Sequence, residues 1–211
     1  SYYFATSGFD VKYQGEFAHV FENWNAELKA RFTSPNFAVN FFGFGNDTEN
    51  FDDDLGLDFN RVKLRQIDFS PSLVWRGQLG AKVKLGLSYE NISVEETNDR
   101  FINTFYQQNG EETNSDFVGA HATYTYENRD NEAFPTIGMG TSLEAGYKEN
   151  LSKEGGSFGY IIPSLSFDYK LIPSGRLVLA TKWKAHFNLG DEYEFYQAAS
   201  IGGIDGLRGF R

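Results

Sequence analysis

The feature that most constrains the fold of this chain is a strict alternation of apolar and polar residues along most of its length. Residues 176–189 are the clearest example. One phase of this segment contains Leu177, Leu179, Thr181, Trp183, Ala185, Phe187 and Leu189, and the other contains Arg176, Val178, Ala180, Lys182, Lys184, His186 and Asn188. Successive side chains of a β-strand point to opposite faces of a sheet, so this period predicts strands with one apolar and one polar face.

The same period predicts strands elsewhere in the chain. They cover residues 8–21, 24–33 extending through 37–44, 60–76, 82–90, 118–127, 137–150 and 158–171. Together with residues 176–189 this makes about eight full strands, preceded by a stub at the start of the chain. We predict neither an internal helix nor a domain boundary.

One segment departs from the regular pattern. Between residues 60 and 76, Val62 and Leu64 fall in one phase, whereas Ile67, Phe69 and the apolar residues that follow fall in the other. An inserted residue shifts the phase of a strand, so this change predicts a β-bulge near Arg65 and Gln66.

Composition narrows the fold class. Aromatic residues make up 17% of the chain, and it contains 22 glycines but only 5 prolines, which favours an all-β fold. No segment approaches the roughly 18 consecutive apolar residues of a membrane-spanning helix. A mean hydropathy of -0.46 is nevertheless compatible with a membrane barrel, because each strand carries a polar face. We therefore predict a transmembrane antiparallel β-barrel.

Several classes of function are disfavoured. The chain has no cysteine, which excludes disulfides and thiolate metal sites. A net charge of -10 disfavours nucleic-acid binding. His19, His121 and His186 lie on separate predicted strands without the spacing of metal ligands, and no catalytic motif occurs. We therefore predict no enzyme activity, no metal, no cofactor and no catalytic residue within this chain.

The predicted connections alternate in length. Residues 22–25, 77–80, 128–136 and 173–175 are short or turn-like, whereas 46–59, 97–116 and the segment from 190 onward are long. Outer-membrane barrels have short periplasmic turns and long external loops. One long loop is acidic and could bind calcium, although a solvated external loop is preferred because the spacing does not match a calcium-binding loop. Its acidic residues are Asp47, Glu49, Asp52, Asp53, Asp54 and Asp58.

Charged residues on the polar faces should line the lumen of the barrel. The predicted cations are Arg61, Lys63, Arg65, Lys82, Lys84, Lys182 and Lys184. The predicted anions facing them are Glu16, Asp68, Glu90, Glu144 and Asp168. Such a lining can order a plug in the lumen or conduct ions.

The end of the chain resembles a motif of the BamA/TamA-like outer-membrane β-barrel superfamily, of the bacterial surface antigen type. Leu207, Arg208, Gly209 and Phe210 are similar to its (V/L)RGF sequence, and Gly202 with Gly203 resembles the small-residue approach to it. In that family this loop folds back into the lumen, where the motif arginine meets acidic side chains on strands that follow. The resemblance implies the same lumen loop here.

A second stretch resembles a periplasmic turn of the same family, D-x-R-(D/N)…F-P-T-x-G. The matching residues are Arg129, Asp130, Phe134, Pro135, Thr136 and Gly138. In the family this turn opens the third strand before the motif loop, and three predicted strands lie between the two here. Residues 40–48, NFFGFGNDT, are also similar to a stretch in the phosphoesterase-linked group of the Bacteroidetes.

The resemblance implies that residues 1–211 are a partial outer-membrane β-barrel domain, with about eight or nine strands of about sixteen. We expect no POTRA domain and no signal peptide within it. The implied location is the outer membrane of a Gram-negative bacterium. The implied function is insertion or translocation of outer-membrane proteins through the barrel seam, and the implied partners are outer-membrane lipid, client proteins and accessory lipoproteins.

Two alternatives remain open. The barrel could anchor an N-terminal metallophosphoesterase or patatin-like lipase domain, as in some members of the family. It could also be a small porin, which would form a closed barrel with an even number of strands.

Overall fold

The computed structural model describes residues 2–3, 7–45, 53–56, 58–109 and 112–199. Strands dominate it. They are β1 (Tyr2–Tyr3), β2 (Gly8–Phe21), β3 (Trp24–Asn40), β4 (Arg61–Arg76), β5 (Ala81–Val94), β6 (Asn114–Arg129), β7 (Ile137–Asn150), β8 (Ser157–Lys170), β9 (Val178–Lys184) and β10 (Phe187–Leu189). One helix, α1 (Phe101–Asn109), and 3-10 turns at Asp53–Leu55, Gln78–Gly80 and Phe195–Gln197 complete the described elements.

The strands form one antiparallel sheet in which each strand pairs with its neighbours in sequence, in the order β1 to β8. β9 and β10 both pair with β8, and between them the Ala185 amide donates to the Pro163 carbonyl over 3.1 Å. They are therefore two parts of one interrupted strand. The prediction of an all-β antiparallel fold with eight full strands and a stub is confirmed.

The two faces of the sheet differ in polarity. Leu73, Leu85, Ala122 and Ala145 form one continuous row across four strands on the outer face, where large apolar side chains such as Trp183 are exposed. The inner face carries rows of polar residues, including Glu27, Lys84 and Glu90. This arrangement is the reverse of a water-soluble sheet, and it is the one expected for strands that face lipid outside and water inside.

The two ends of the sheet also differ. At the turn end, residues 22–23, 77–80, 130–136 and 171–177 connect the strands. At the loop end, longer segments fall between β3 and β4 and between β5 and β6, and the segment after β10 begins there. The predicted long and short connections are therefore found, but the loop-end connection between β7 and β8, residues 151–156, is as short as those at the turn end, so the alternation is incomplete.

Helix α1 lies in the loop between β5 and β6 and contradicts the prediction of no internal helix. Ile102 and Tyr106, four residues apart, are buried on one side of it. They pack in a hydrophobic cluster with Phe41, Val62, Ile92, Val94 and Phe195. Among the described residues, no helix is long and apolar enough to cross a bilayer.

The predicted β-bulge at Arg65 and Gln66 is wrong. The pairing of β4 with β5 runs without a shift from Leu64 to Phe69, so Val62 and Leu64 share the inner face with Gln66. The irregularity lies in β3, where three residues, 34–36, stand between the partners of Gln66 and Leu64. The change of phase has another cause: at the loop end the inner face is apolar because it packs under α1.

Three cations that were predicted to face the lumen lie on the outer side of the sheet instead, because the inner face of β4 is apolar at the loop end. Arg61, Lys63 and Arg65 alternate with Val62 and Leu64, so they lie on the outer side of β4 near the loop end. Arg61 pairs with Asp58 at 2.8 Å, and Lys63 pairs with Glu95 at 3.3 Å. Arg65 donates to the Asn91 side chain over 3.0 Å.

Candidate functional site

The inner face is held by ion pairs that skip a strand. Lys84 on β5 contacts Glu27 on β3 at 3.2 Å, and Lys148 on β7 contacts Glu90 on β5 at 2.6 Å. Strands two apart in a sheet are separated by nearly 10 Å, so only long side chains that lie across the intervening strand can meet. We call these contacts strand-skipping ion pairs.

Two more strand-skipping ion pairs lie nearer the turn end. Arg76 on β4 contacts Glu16 on β2 at 2.7 Å, and Asn25 on the strand between them donates to the same carboxylate over 2.8 Å. Arg129 on β6 contacts Asp168 on β8 at 3.0 Å. The four pairs thus link β2 to β4, β3 to β5, β5 to β7 and β6 to β8, and each places a cation against an anion on the inner face.

Glycines on β7 allow Arg129 to reach Asp168. Arg129 pairs in register with Gly138, and a Cβ at Gly138 would lie 2.7 Å from the Arg129 Cα and 2.3 Å from the Asn128 carbonyl oxygen. A Cβ at Gly140 would lie 3.3 Å from the Arg129 Nη2. The guanidinium therefore lies flat over β7, donates to Ser166 over 2.8 Å, and forms an ion pair rather than a linear hydrogen bond with Asp168.

The adjoining turn, residues 130–136, is fixed by its own side chains. Asp130 accepts hydrogen bonds from the Thr136 amide at 2.8 Å, the Ile137 amide at 3.1 Å and the Thr136 hydroxyl. Asn131 accepts from the Ala133 and Phe134 amides, each at 2.9 Å. The hydroxyl and amide donors of Thr136 lower the pKa of Asp130 from 3.8 to about 2, so its carboxylate stays ionised at neutral pH.

This turn presents Phe134 to solvent, with 82% of its surface exposed. In the neighbouring turn, Leu79 is 86% exposed and has φ 59°, a left-handed conformation that costs a non-glycine residue about 1–2 kcal/mol. Gly80 beside it has φ 81°, and a Cβ there would lie 2.0 Å from the Glu127 carbonyl oxygen. Glycine is required where this turn approaches the backbone of β6 so closely.

A cavity of about 450 Å³ lies against the middle of the inner face. It is lined by Asp68, Lys84, Glu90, His121, Glu144 and Tyr160, among others. Glu144 accepts a hydrogen bond from the Tyr160 hydroxyl at 3.2 Å. Gln197 and Ala198, which follow β10, also line this cavity, so the chain turns towards the inner face after the last strand.

Aromatic side chains close the loop end above this cavity. The Phe195 ring lies 4.5 Å from that of Phe41 and 5.1 Å from that of Tyr196. Tyr196 in turn contacts Phe117 edge-on at 6.5 Å, and burial raises the pKa of its hydroxyl, which stays neutral. We call this group, together with Phe101, Phe105 and Tyr106 of the helix, the aromatic cap.

The predicted site residues have different outcomes. Arg129, Asp130, Thr136 and Gly138 meet in one hydrogen-bonded turn; Phe134 forms its exposed tip, and the neighbouring Pro135 is half-buried. The predicted lumen loop residues Gly202, Gly203, Leu207, Arg208, Gly209 and Phe210 lie outside the described residues, as does most of the acidic loop.

Sequence reasoning missed the partners of Arg129. Asp168 was predicted to face the lumen but was not paired with Arg129, and Gly140 and Ser166 were not singled out. The G-x-G spacing of Gly138 and Gly140 on the inner phase was the available signal, because two glycines on one face leave room for a side chain from the next strand.

Three histidines were predicted not to form a metal site. His121 and His186 lie beside the cavity, whereas His19 is exposed on β2. Within the ranges that the structure describes, no group of three or more His, Asp or Glu side chains is arranged to hold a metal ion.

Comparison with known proteins identifies a family. No curated protein matches the chain significantly. The model of the Omp85 superfamily domain matches residues 23–211, from just before β3 to the end of the chain. This match confirms the resemblance to BamA/TamA-like barrels, and it indicates a broad family of outer-membrane proteins that insert or translocate other proteins. With its polar inner face, apolar outer face and alternating connections, the chain belongs to the Omp85 superfamily.

Proposed function

We propose that this chain is part of an outer-membrane barrel that inserts or translocates other outer-membrane proteins in a Gram-negative bacterium. The observation that carries the proposal is the course of the chain after β10. Phe195 packs under Phe41, and Gln197 and Ala198 lie against the cavity on the inner face. The described residues that precede the motif in sequence therefore lie on the inner side of the sheet, which supports a lumen loop.

In this proposal the barrel wall acts as a scaffold and performs no bond chemistry. Strand-skipping ion pairs compensate the charges of the wall, so a polar loop can dock inside without leaving buried charges unpaired. Arg208 then supplies a planar guanidinium that can form two parallel hydrogen bonds with a carboxylate in the lumen. Gly202, Gly203 and Gly209 provide the close backbone approach that such a docked loop needs.

The turn residues have a separate proposed role on the periplasmic side. Arg129 ties the end of β6 to β8, and Asp130 fixes the turn through Thr136. Together they keep the periplasmic rim rigid while clients pass. The partners are unfolded outer-membrane proteins and the lipoproteins that deliver them.

The test is an assembly assay with the full-length protein in phospholipid vesicles. A small outer-membrane barrel is added in its unfolded state, and its folding is followed by its resistance to heat in gel electrophoresis. We expect folding to be at least about tenfold faster than in empty vesicles, a change of about 1.4 kcal/mol in the barrier. Equal rates with and without the protein would overturn the proposal.

Variants of Arg208 test the lumen loop. Arg208→Ala should slow client folding and make the segment after β10 more sensitive to protease. Arg176→Ala is the matched control, because Arg176 is exposed in the turn between β8 and β9. Equal behaviour of the two variants would remove Arg208 from the mechanism.

A further inference from the structure

Each connection at the turn end carries or directly adjoins an exposed apolar side chain. These are Phe21, Leu79, Phe134 and Ile172, which we call the apolar tips. Leu171 and Leu177, in the same connection as Ile172, are also exposed. Leu79, Phe134 and Ile172 lie within connections, and Phe21 is the last residue of β2, so the feature recurs at four successive turns of the described rim.

Two of the apolar tips are held in place by the backbone. Hydrogen bonds of Asp130 and Asn131 fix the turn that carries Phe134. Leu79 keeps a left-handed conformation in its turn, a conformation that asparagine or glycine adopts more readily. Since both side chains are more than four-fifths exposed, contacts within the described residues do not account for an apolar residue at either place.

The outer face next to the turn end carries aromatic residues. Trp24 and Trp75 are paired directly across β3 and β4, and Tyr169 is paired with Ile137 across β7 and β8. Trp and Tyr concentrate where a membrane meets water. The apolar tips therefore lie at, or just beyond, the level of the lipid headgroups.

The arrangement of the tips favours lipid over a protein partner. Successive connections are two strands apart, about 10 Å along the rim. Polar residues such as Glu22, Gln78, Glu132 and Ser174 separate the tips. A protein interface has a contiguous apolar core, whereas a row of single apolar residues around a rim follows the circumference along which a membrane surface meets a barrel.

We propose that Phe21, Leu79, Phe134 and Ile172 insert into the headgroup region of the leaflet on the turn side and fix the depth of the barrel in the membrane. The ligand is a phospholipid surface. This role is independent of client insertion, because it depends only on the turn end.

The experiment uses the absence of cysteine from this chain. Leu79→Cys and Phe134→Cys are each labelled with an environment-sensitive fluorophore in the full-length protein, which is then folded into phosphatidylcholine vesicles. Glu132→Cys is the matched control, because Glu132 is exposed in the same turn as Phe134. All three positions are exposed, so the substitutions should leave folding intact, which protease resistance verifies.

The readout is quenching from the two sides of the interface. Lipids with a nitroxide near the headgroup should quench the labels at 79 and 134 about twofold more strongly than the label at 132. Aqueous iodide should quench in the opposite order. Equal quenching at the three positions would overturn the proposal, as would protection from iodide that appears only when a partner protein is added. Loss of client folding would leave this result unaffected, so the two proposals fail separately.

Discussion

Removing the ion pair between Arg129 and Asp168 should destabilise the sheet measurably, because both groups are largely shielded from water. Their side chains are 25% and 9% exposed, and the two charged atoms lie 3.0 Å apart. At the effective dielectric constant of a partly buried site, two charges at about 4 Å attract by about 4 kcal/mol. Desolvation offsets part of this, so we expect a coupling energy of about 2 kcal/mol.

The measurement is a double-mutant cycle with Arg129→Met, Asp168→Asn and the double variant. Unfolding in urea, with the protein in lipid vesicles, can be followed by the fluorescence of Trp24, Trp75 and Trp183. Asp168→Asn alone should lower the free energy of unfolding by about 2 kcal/mol, because it leaves the Arg129 charge without its main partner. Arg129→Met removes the positive charge but keeps an apolar side chain over the β7 glycines, so it isolates the contribution of the charge.

A second cycle on Arg61 and Asp58 is the control. This pair is as close, at 2.8 Å, but its side chains are 43% and 63% exposed. Water screens such pairs, so its coupling energy should be about 0.5 kcal/mol or less. If the two cycles gave the same value, burial would not govern the strength of the inner-face pairs and the reasoning would be refuted.

Three further predictions follow from the described geometry. Gly138→Ala should lower the free energy of unfolding by about 2 kcal/mol, because the new Cβ would lie 2.3 Å from the Asn128 carbonyl oxygen. The measurement is urea unfolding, and an unchanged free energy of unfolding would contradict the prediction. The folded-state pKa of Asp130 is depressed from 3.8 to about 2, so its contribution to the turn is complete above about pH 4 and is lost as the pH falls towards 2. The protection factor of the Thr136 amide, its exchange rate relative to that of an unstructured amide at the same pH, should fall in that window. Asp130→Asn should remove this change in the protection factor. Phe41→Ala removes the centre of the aromatic cap and should cost about 3–4 kcal/mol, measured as earlier urea unfolding, with Phe44→Ala, a more exposed ring, costing less.

The strands could be predicted because apolar and polar residues alternate in the same way throughout the membrane-embedded part of the chain. Where lipid lies outside and water inside, the period of the sequence reports the faces directly. The prediction failed at the loop end, at α1 and at the supposed bulge. There the inner face packs against a helix and the outer side of β4 carries Arg61 and Lys63, so the same strand shows the opposite polarity.

The candidate site was less predictable. Its residues were partly recognised by resemblance, but the contact between Arg129 and Asp168 joins positions 39 residues apart on strands that are not neighbours. Pairing them requires the register of β6, β7 and β8 together, which alternation does not provide. Of the apolar tips, the sequence singled out only Phe134, through the turn motif, because single exposed apolar residues carry no periodic signal.

The strand-skipping ion pairs have a mechanical consequence for a barrel wall. Their charged groups lie on the inner face. Flattening the wall would therefore increase the distance between the two charges of each pair, and tighter curvature would decrease it. The ion pairs link β2 to β4, β3 to β5, β5 to β7 and β6 to β8. At least one of them therefore spans every pair of neighbouring strands in the arc from β2 to β8, so no two of these strands are left free to hinge. Any breathing motion of the cylinder should therefore concentrate outside the arc, which moves as one stiff panel.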